Sequence, residues 1–314
     1  MRMTVLASGS KGNSTVISSG RTTVLVDAGL SCRELMKRMA IAEEDPSKLD
    51  AILITHEHVD HVAGLAVLAR RLKIPVYFTE PTHRAWMRML TPRTTMTYAQ
   101  WMEHLQKEKE ARAAAVTAGI DPEAGMELPI EEEPVDTAPA KAKANPWELP
   151  AVEYFRAGTR FCVGDLDVMP FTIPHDAADP CGFVFESGGM RMATATDLGY
   201  MPPNVKAALK RIDVLLLESN HDLEMLKDGP YPWSVKQRVL SRVGHLSNEA
   251  TAEFLEKDYD GGAAYIVLGH LSESNNAPEL ARISAERAIS GRMSLLGNRI
   301  LLAEQATPME SICL

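Results

Sequence analysis

The chain has four cysteines, Cys32, Cys162, Cys181 and Cys313, and no two of them form a C-x-x-C pair. Such scattered thiols fit reduced side chains and a cytoplasmic location better than a disulfide framework. No apolar run approaches the roughly 20 residues that a membrane helix needs, so no membrane association is expected. The N-terminus runs straight into the strand-like Met3-Thr4-Val5-Leu6-Ala7 and has no signal-peptide architecture. Positive charge is also short, with a formal net charge of −9. That balance argues against a polyanionic substrate only until it is mapped. Residues 92–150 hold six basic and eleven acidic side chains, or −5, which leaves about −4 for the rest. Net charge therefore excludes no substrate class. Hydrophobic content of 45% and this length permit an ample core in one large domain or two small ones.

What the chain does have is concentrated in His56-Glu57-His58-Val59-Asp60-His61. The run follows Ala51-Ile52-Leu53-Ile54-Thr55, which reads as a buried strand. It precedes apolar residues at helical spacing over 62–73. The ligand-type side chains thus sit on a strand-to-helix turn, where they can converge. Imidazole nitrogen and carboxylate oxygen suit zinc, manganese or iron. The order His-x-His-x-Asp-His gives two donors to one ion and two to another. A polar loop satisfying its own hydrogen bonds would explain a lone histidine. It does not explain three histidines and an aspartate in six residues. The metalloprotease pattern H-E-x-x-H fails, because Asp60 stands where its second histidine belongs.

Taken in order, residues 3–7, 14–18 and 22–27 read as strands, with Ser19-Gly20-Arg21 turning the second into the third. The loop Ser8 to Asn13 is rich in Gly and Ser and allows close backbone approach to a ligand, or is simply a turn. Asp27 at the end of the third strand either orients a metal-binding histidine or caps a helix. Residues 31–41 form an amphipathic helix and 76–79 another strand. Arg70, Arg71 and Lys73 make a basic cluster that a solvated face also explains. From about 92 to 150 an insertion is expected. Residues 98–118 read as a helix with Trp101, Leu105 and Val116 available to pack; 119–150 is rich in Pro, Ala and Glu, with Trp147 and Leu149 anchoring its end. Strands resume over 161–173, and His175 follows them. Cys181 could supply a thiolate but reads better as a small buried side chain. Gly188-Gly189 turns a hairpin into Met190 to Ala195. Asp197 closes that strand, as a helix cap or as a ligand. Residues 213–218 read as a buried strand, and Glu218-Ser219-Asn220-His221-Asp222 stands at its C-terminal end, where α/β sites lie. His245 precedes a helix capped by Ser247 or Asn248, and His270 ends the strand 264–268. Pro278 starts the last helix, 299–302 adds a strand, and 306–314 reads as a loose tail.

The motifs as a set resemble the metallo-β-lactamase fold, and within it the YycJ/WalJ-like branch. They are Ser8-Gly9-Ser10-Lys11-Gly12-Asn13-Ser14, Asp27-Ala28-Gly29-Leu30, the His56 to His61 run, Pro174-His175-Asp176, Thr196-Asp197-Leu198-Gly199, Glu218-Ser219-Asn220-His221-Asp222, Gly244-His245-Leu246-Ser247-Asn248 and His270-Leu271-Ser272-Glu273-Ser274-Asn275-Asn276. The resemblance covers about residues 3–91 and 152–305. It implies one four-layer αβ/βα sandwich interrupted by the insertion. It also implies two divalent metal ions, zinc or manganese. One would take His56, His58 and His175, the other Asp60, His61 and His270, with Asp197 bridging. Asp60 would orient the attacking hydroxide and His245 would donate to a phosphate oxygen. Ser10, Asn13, Asn220, His221 and Asn275 are expected near substrate. The activity implied is that of a phosphodiesterase acting as a 5′→3′ exonuclease on DNA, with RNA as another polyanion of the same kind. Lys236, Arg238 and Arg242, on a helix running into His245, would meet phosphates, unless they are only a solvated face. The same metals would serve a small-molecule ester, thioester or lactone hydrolase. A metal-stabilised scaffold whose insertion recruits partners is the reading from a different class.

Overall fold

The computed structural model describes residues 1–90, 147–291 and 297–314. The strand Val214–Glu218 shows how its layers are built. Val214 and Leu216 face one hydrophobic cluster, and Leu215 and Leu217 face another, as a pleat of period two requires. The first cluster lies between two sheets and joins Val5, Val24 and Val26 to Val168, Phe183 and Met192. The second fills the space between one sheet and its helices, with Phe171, Phe254, Leu255 and Ala281. A strand apolar on both faces must be covered on both, and that requirement yields the stack of helices, sheet, sheet and helices.

The first sheet holds β1 (Arg2–Ala7), β2 (Ser14–Ser18), β3 (Thr23–Val26), β4 (Ala51–Leu53), β5 (Val76–Phe78), β6 (Val152–Tyr154) and β14 (Ile312–Cys313), in the order β14-β1-β2-β3-β4-β5-β6. The second holds β7 (Phe161–Val163), β8 (Leu166–Thr172), β9 (Cys181–Ser187), β10 (Met190–Ala195), β11 (Val214–Glu218), β12 (Tyr265–Gly269) and β13 (Arg299–Leu302), in the order β13-β12-β11-β10-β9-β8-β7. Strands β3 to β6 are parallel, as are β10 to β13. The helices are α1 (Cys32–Ile41), α2 (Val59–Val62), α3 (Leu65–Leu72), α4 (Glu80–Leu90), α5 (Pro203–Ala208), α6 (Leu223–Asp228), α7 (Trp233–Val239), α8 (Asn248–Lys257) and α9 (Pro278–Ile289). Helix α1 packs on β1 and α3, α5 on β8, and α9 on α8 and β13. Ser31 caps α1 and Ser247 caps α8, each accepting from a backbone N–H three residues on. Among the described residues, no helix is long and apolar enough to cross a membrane.

Two expectations need correction. The tail is not loose: Ile312 is buried and pairs with Met3, and Met309 N–H donates to Val5 O. One inward apolar residue is enough to dock a two-residue strand, but too little to show as a period. The helix expected over 62–73 starts only at Leu65, and a separate short helix, α2, precedes it over Val59–Val62. Gly64 N–H turns away to donate to Ala28 O (2.8 Å), which breaks the run between α2 and α3. The described residues up to 88 and from 147 on form one compact unit. The expected helix 98–118, with Trp101, Leu105 and Val116, lies outside the described residues, as does the stretch 119–146. Of its expected anchors, Trp147 is exposed and Leu149 half-buried.

The parallel registers align the C-terminal strand ends. Val26 faces Leu53, Ala195 faces Leu217, and Leu217 faces Leu268. The residues that follow these ends are Asp27, Asp197 and His270. All three have left-handed backbone, with φ of 61°, 63° and 56°. Non-glycine residues enter that region at a cost of about 1–2 kcal/mol, and such positions cluster at functional sites. The turn after β3 is also pinned to the His56 to His61 run. Asn13 N–H donates to Asp60 O (2.7 Å), Gly29 N–H to Asn13 O (3.0 Å) and Ala28 N–H to His61 O (2.8 Å). Position 29 must be glycine here, because a Cβ would stand 1.7 Å from Asp60 O.

Candidate metal centre

The two sheets deliver their strand ends to one place, and the side chains there fall into two triads. His56 follows β4 and is fully buried. Its Nδ1 faces Thr55 Oγ1 at 3.0 Å, and its Nε2 has no hydrogen-bond partner. His175 follows β8; its Nδ1 faces Gly244 O at 3.2 Å, which turns Nε2 toward His58 Nδ1, 3.3 Å away. His56, His58 and His175 thus offer three nitrogens to one point. In the second triad, His61 Nδ1 lies 2.8 Å from Asp27 Oδ2, and His270 Nδ1 lies 3.0 Å from Glu218 Oε1. Each ring is therefore fixed by a carboxylate behind it, with Nε2 turned to the front. These Nε2 atoms stand 3.5 and 3.6 Å from Asp60 Oδ2. Asp197 lies between the triads. Its Oδ1 is 3.8 Å from His175 Nε2 and 3.5 Å from His270 Nε2, and its Oδ2 is 3.4 Å from His61 Nε2. No helix begins at Asp197, since α5 starts at Pro203, so the capping alternative falls away.

Three observations fit this arrangement to divalent cations. Ligands about 2.1 Å from a tetrahedral ion stand about 3.4 Å apart, and the separations above run from 3.3 to 3.8 Å. His56 Nε2, Asp197 Oδ2 and His270 Nε2 are buried without hydrogen bonds, which is costly unless something else meets them. Four carboxylates, Asp27, Asp60, Asp197 and Glu218, share the cluster, and all but Asp60 are buried. Buried charge of one sign calls for a counter-charge.

The protonation pattern follows from the same packing. Burial, with the charges of His61, His175 and His58, holds the His56 pKa well below its ordinary value and keeps the ring neutral. Burial pulls His61 and His270 down too, but carboxylates outweigh it: Asp197, Asp27 and Asp60 at His61, and Asp197, Asp60 and Glu218 at His270. Both are held well above the usual range. Burial alone would raise the Glu218 carboxyl; His245 and His270 instead hold it well below.

Glu218, expected only as one of a group of supporting residues at the end of its strand, carries more of the site than that reading assigned. It is fully buried. Oε1 receives His245 Nδ1 (2.8 Å) and His270 Nδ1, while Oε2 accepts from Leu198 N–H (2.6 Å) and Leu246 N–H (3.2 Å). Asp197, Glu218, His245 and His270 also form a metal-compatible group by distance. These hydrogen bonds already use the Glu218 oxygens and both Nδ1 atoms, so Glu218 is an organiser of the two rings. The signal available was a glutamate ending the apolar strand Val214 to Leu217. Glu57, inside the His-rich run, points elsewhere and accepts from Ala178 N–H (2.9 Å).

The other expected residues divide. Asn13 is buried beside the second triad, its Nδ2 at 3.2 Å from Asp60 Oδ2 and 3.0 Å from His61 Nε2. Asn220 donates to His270 O (2.7 Å), which steadies the turn that carries that ring. His221 is buried, its pKa lowered to about 4 by desolvation. Asn275 is fully buried and donates to Ser272 Oγ, so it is not placed to touch a macromolecule. Ser10 is exposed on the loop. Cys181 is fully buried against Thr55 O, and burial raises its thiol well above the ordinary value, so it is no thiolate. The expected phosphate-contacting cations are mostly engaged: Lys236 Nζ donates to Lys227 O, Arg238 pairs with Asp176 and Arg242 lies over the Tyr200 ring.

The fold and these strand ends define a class. Residues 7–270 match the family model described as the metallo-beta-lactamase superfamily, and the chain belongs to that superfamily. It is 34% identical over 289 residues to the exodeoxyribonuclease YycJ of Bacillus anthracis, covering 92% of this chain and 89% of that one. It is 32% identical over 283 residues to the exodeoxyribonuclease WalJ of Streptococcus pneumoniae, covering 90% and 86%. The crystal structure of the metallo-beta-lactamase fold protein YhfI from Bacillus subtilis has a TM-score of 0.60, with 98% and 99% coverage at 15% identity, a likeness of fold alone.

Proposed function

We propose that this chain is a metal-dependent phosphodiesterase that shortens DNA from its 5′ end. The observation that carries the reading is the pair of triads sharing Asp197. The similarity to two exodeoxyribonucleases over about nine-tenths of the chain supplies the substrate class. His56, His58 and His175 would hold one divalent cation, and Asp60, His61 and His270 a second, zinc or manganese, with Asp197 shared. Two such cations, when bound, would neutralise the buried carboxylates and supply the Lewis acidity that activates water.

The chain's own side chains do the rest. Asp60, 24% exposed, is the carboxylate of the centre that meets solvent; it orients the attacking water. His245, 19% exposed, gives its Nδ1 to Glu218, which leaves Nε2 to donate to a phosphate oxygen as charge develops. Asn13, held between Gly9 and Asp60, contributes an amide beside that water. We read the chain as one metallo-β-lactamase-fold domain interrupted at about 92–150. The free thiols Cys32, Cys162, Cys181 and Cys313 suit a cytoplasmic enzyme.

The test is a time course on double-stranded DNA labelled at either end, with protein reconstituted with zinc or manganese. Early release of a 5′ label and stepwise shortening of 3′-labelled strands are expected, both abolished by a chelator. No cleavage by protein that demonstrably holds two metals would sink the DNA reading and favour a small ester or thioester.

A further inference from the structure

One helix beside the centre buries none of its residues. Helix α7 carries Trp233 at 67% exposure, and Leu240 just beyond it is 51% exposed. Seven residues that cover no core do not hold themselves in place. Connections to the site hold them instead. His245 N–H donates to Val239 O (3.0 Å), and Asp176 N–H donates to Val243 O (3.2 Å). Gly199, two residues after Asp197, lies so close beneath the segment that a Cβ there would come within 2.2 Å of the Arg242 carbonyl.

Arg238 stands at the inner edge of this segment. Its Nε donates to Asp176 Oδ2 (2.5 Å), and Asp176 Oδ1 is 3.4 Å from His175 Nε2 and 4.0 Å from His58 Nε2. The guanidinium is thus fixed beside the first triad through one nitrogen. Among the described residues, its two terminal nitrogens have no hydrogen-bond partner, and the side chain is 59% exposed. Between Gly229 and His245 the sequence has three basic residues and no acidic one, in a chain of net charge −9.

We propose that α7 and the residues after it form the lip on which a single strand of DNA lies as it enters the centre. Arg238 holds a backbone phosphate beside the first triad, and Trp233 stacks an unpaired base. This rests on the phosphodiesterase reading above. The occupant follows from chemistry. A guanidinium positioned by a carboxylate keeps its terminal N–H groups for phosphate oxygens. An exposed indole beside basic residues offers a flat apolar face to a base, and duplex DNA has no free base to place there. A basic, aromatic lip in a chain of net charge −9 also favours a polyanion at this edge.

The test is binding of metal-loaded protein to a phosphorothioate oligothymidine that resists cleavage, alongside a blunt phosphorothioate duplex. Trp233→Ala is expected to weaken single-strand binding by about 5-fold to 100-fold, with Trp233→Tyr retaining most of the affinity. Arg238→Ala is expected to weaken it and to lower the slope of log affinity against log salt by about one. Unchanged affinity in both alanine variants overturns the proposal. So does an equal loss on duplex and single strand after Trp233→Ala. If that variant instead splits a dimer and leaves DNA affinity intact, the patch is an interface between copies and the proposal fails. If single-strand binding falls as expected but the wild type cuts no DNA, the lip stands and the phosphodiesterase reading fails.

Discussion

Asp197→Ala is expected to release both metals and to cut DNA cleavage by about a thousandfold or more, some 4 kcal/mol of barrier. The shared carboxylate faces both triads: one oxygen lies near His175 and His270, the other near His61. The substitution should also cost some stability in the metal-free fold. There Asp197 faces the His61 and His270 rings, whose charged forms it favours, so its removal leaves those buried rings short of a counter-charge. Thermal melts with and without a chelator check this. Chelation should lower the wild-type midpoint, because ligands bound only to the folded state stabilise it by mass action. The alanine variant should melt at the same temperature with and without chelator. A variant that loses stability equally in both conditions would make Asp197 a structural residue.

Glu218→Ala is expected to damage chiefly the fold, and to do so even without metal. Its Oε2 satisfies Leu198 N–H and Leu246 N–H, and its Oε1 holds the His245 and His270 rings. Removing one partner from a buried, charge-assisted network costs about 3–5 kcal/mol. Urea unfolding of chelated protein measures it. The pH dependence has a definite sign. The folded pKa of Glu218 is depressed, so its contribution is present above the unfolded glutamate value of about 4.3. It is lost as pH falls through the depressed folded value. The gap between wild type and variant should therefore hold near neutrality and close only in strong acid. A gap that widens in acid would contradict the assignment.

The centre was legible where its ligands are local. His56, His58, Asp60 and His61 share one turn, so the spacing alone shows them converging. Asp197 and His270 were legible as polar residues closing apolar strands. Their left-handed backbone is a consequence of the sharp turns there, and no residue type announces it. Glu218 was legible as a strand-end residue, but its role was hidden because its partners lie 20 to 52 positions away and are joined only by the parallel register of β10, β11 and β12. The basic residues near His245 were legible as charges. Which of them keep free donors was not, since that depends on Asp176 and Tyr200 meeting them in space. The strand β14 escaped notice because its evidence is one buried side chain, Ile312, docking beside Met3. Local chemistry survives in a sequence; pairings across the sheets must be folded to be seen.

The most direct measurement of the dinuclear claim is anomalous diffraction at the metal edge from crystals of reconstituted protein. Two peaks are expected, one enclosed by His56, His58 and His175 and the other by Asp60, His61 and His270, with Asp197 reaching both. A single peak among Glu218, His245 and His270, or none at either triad in protein that cleaves DNA, would contradict the account.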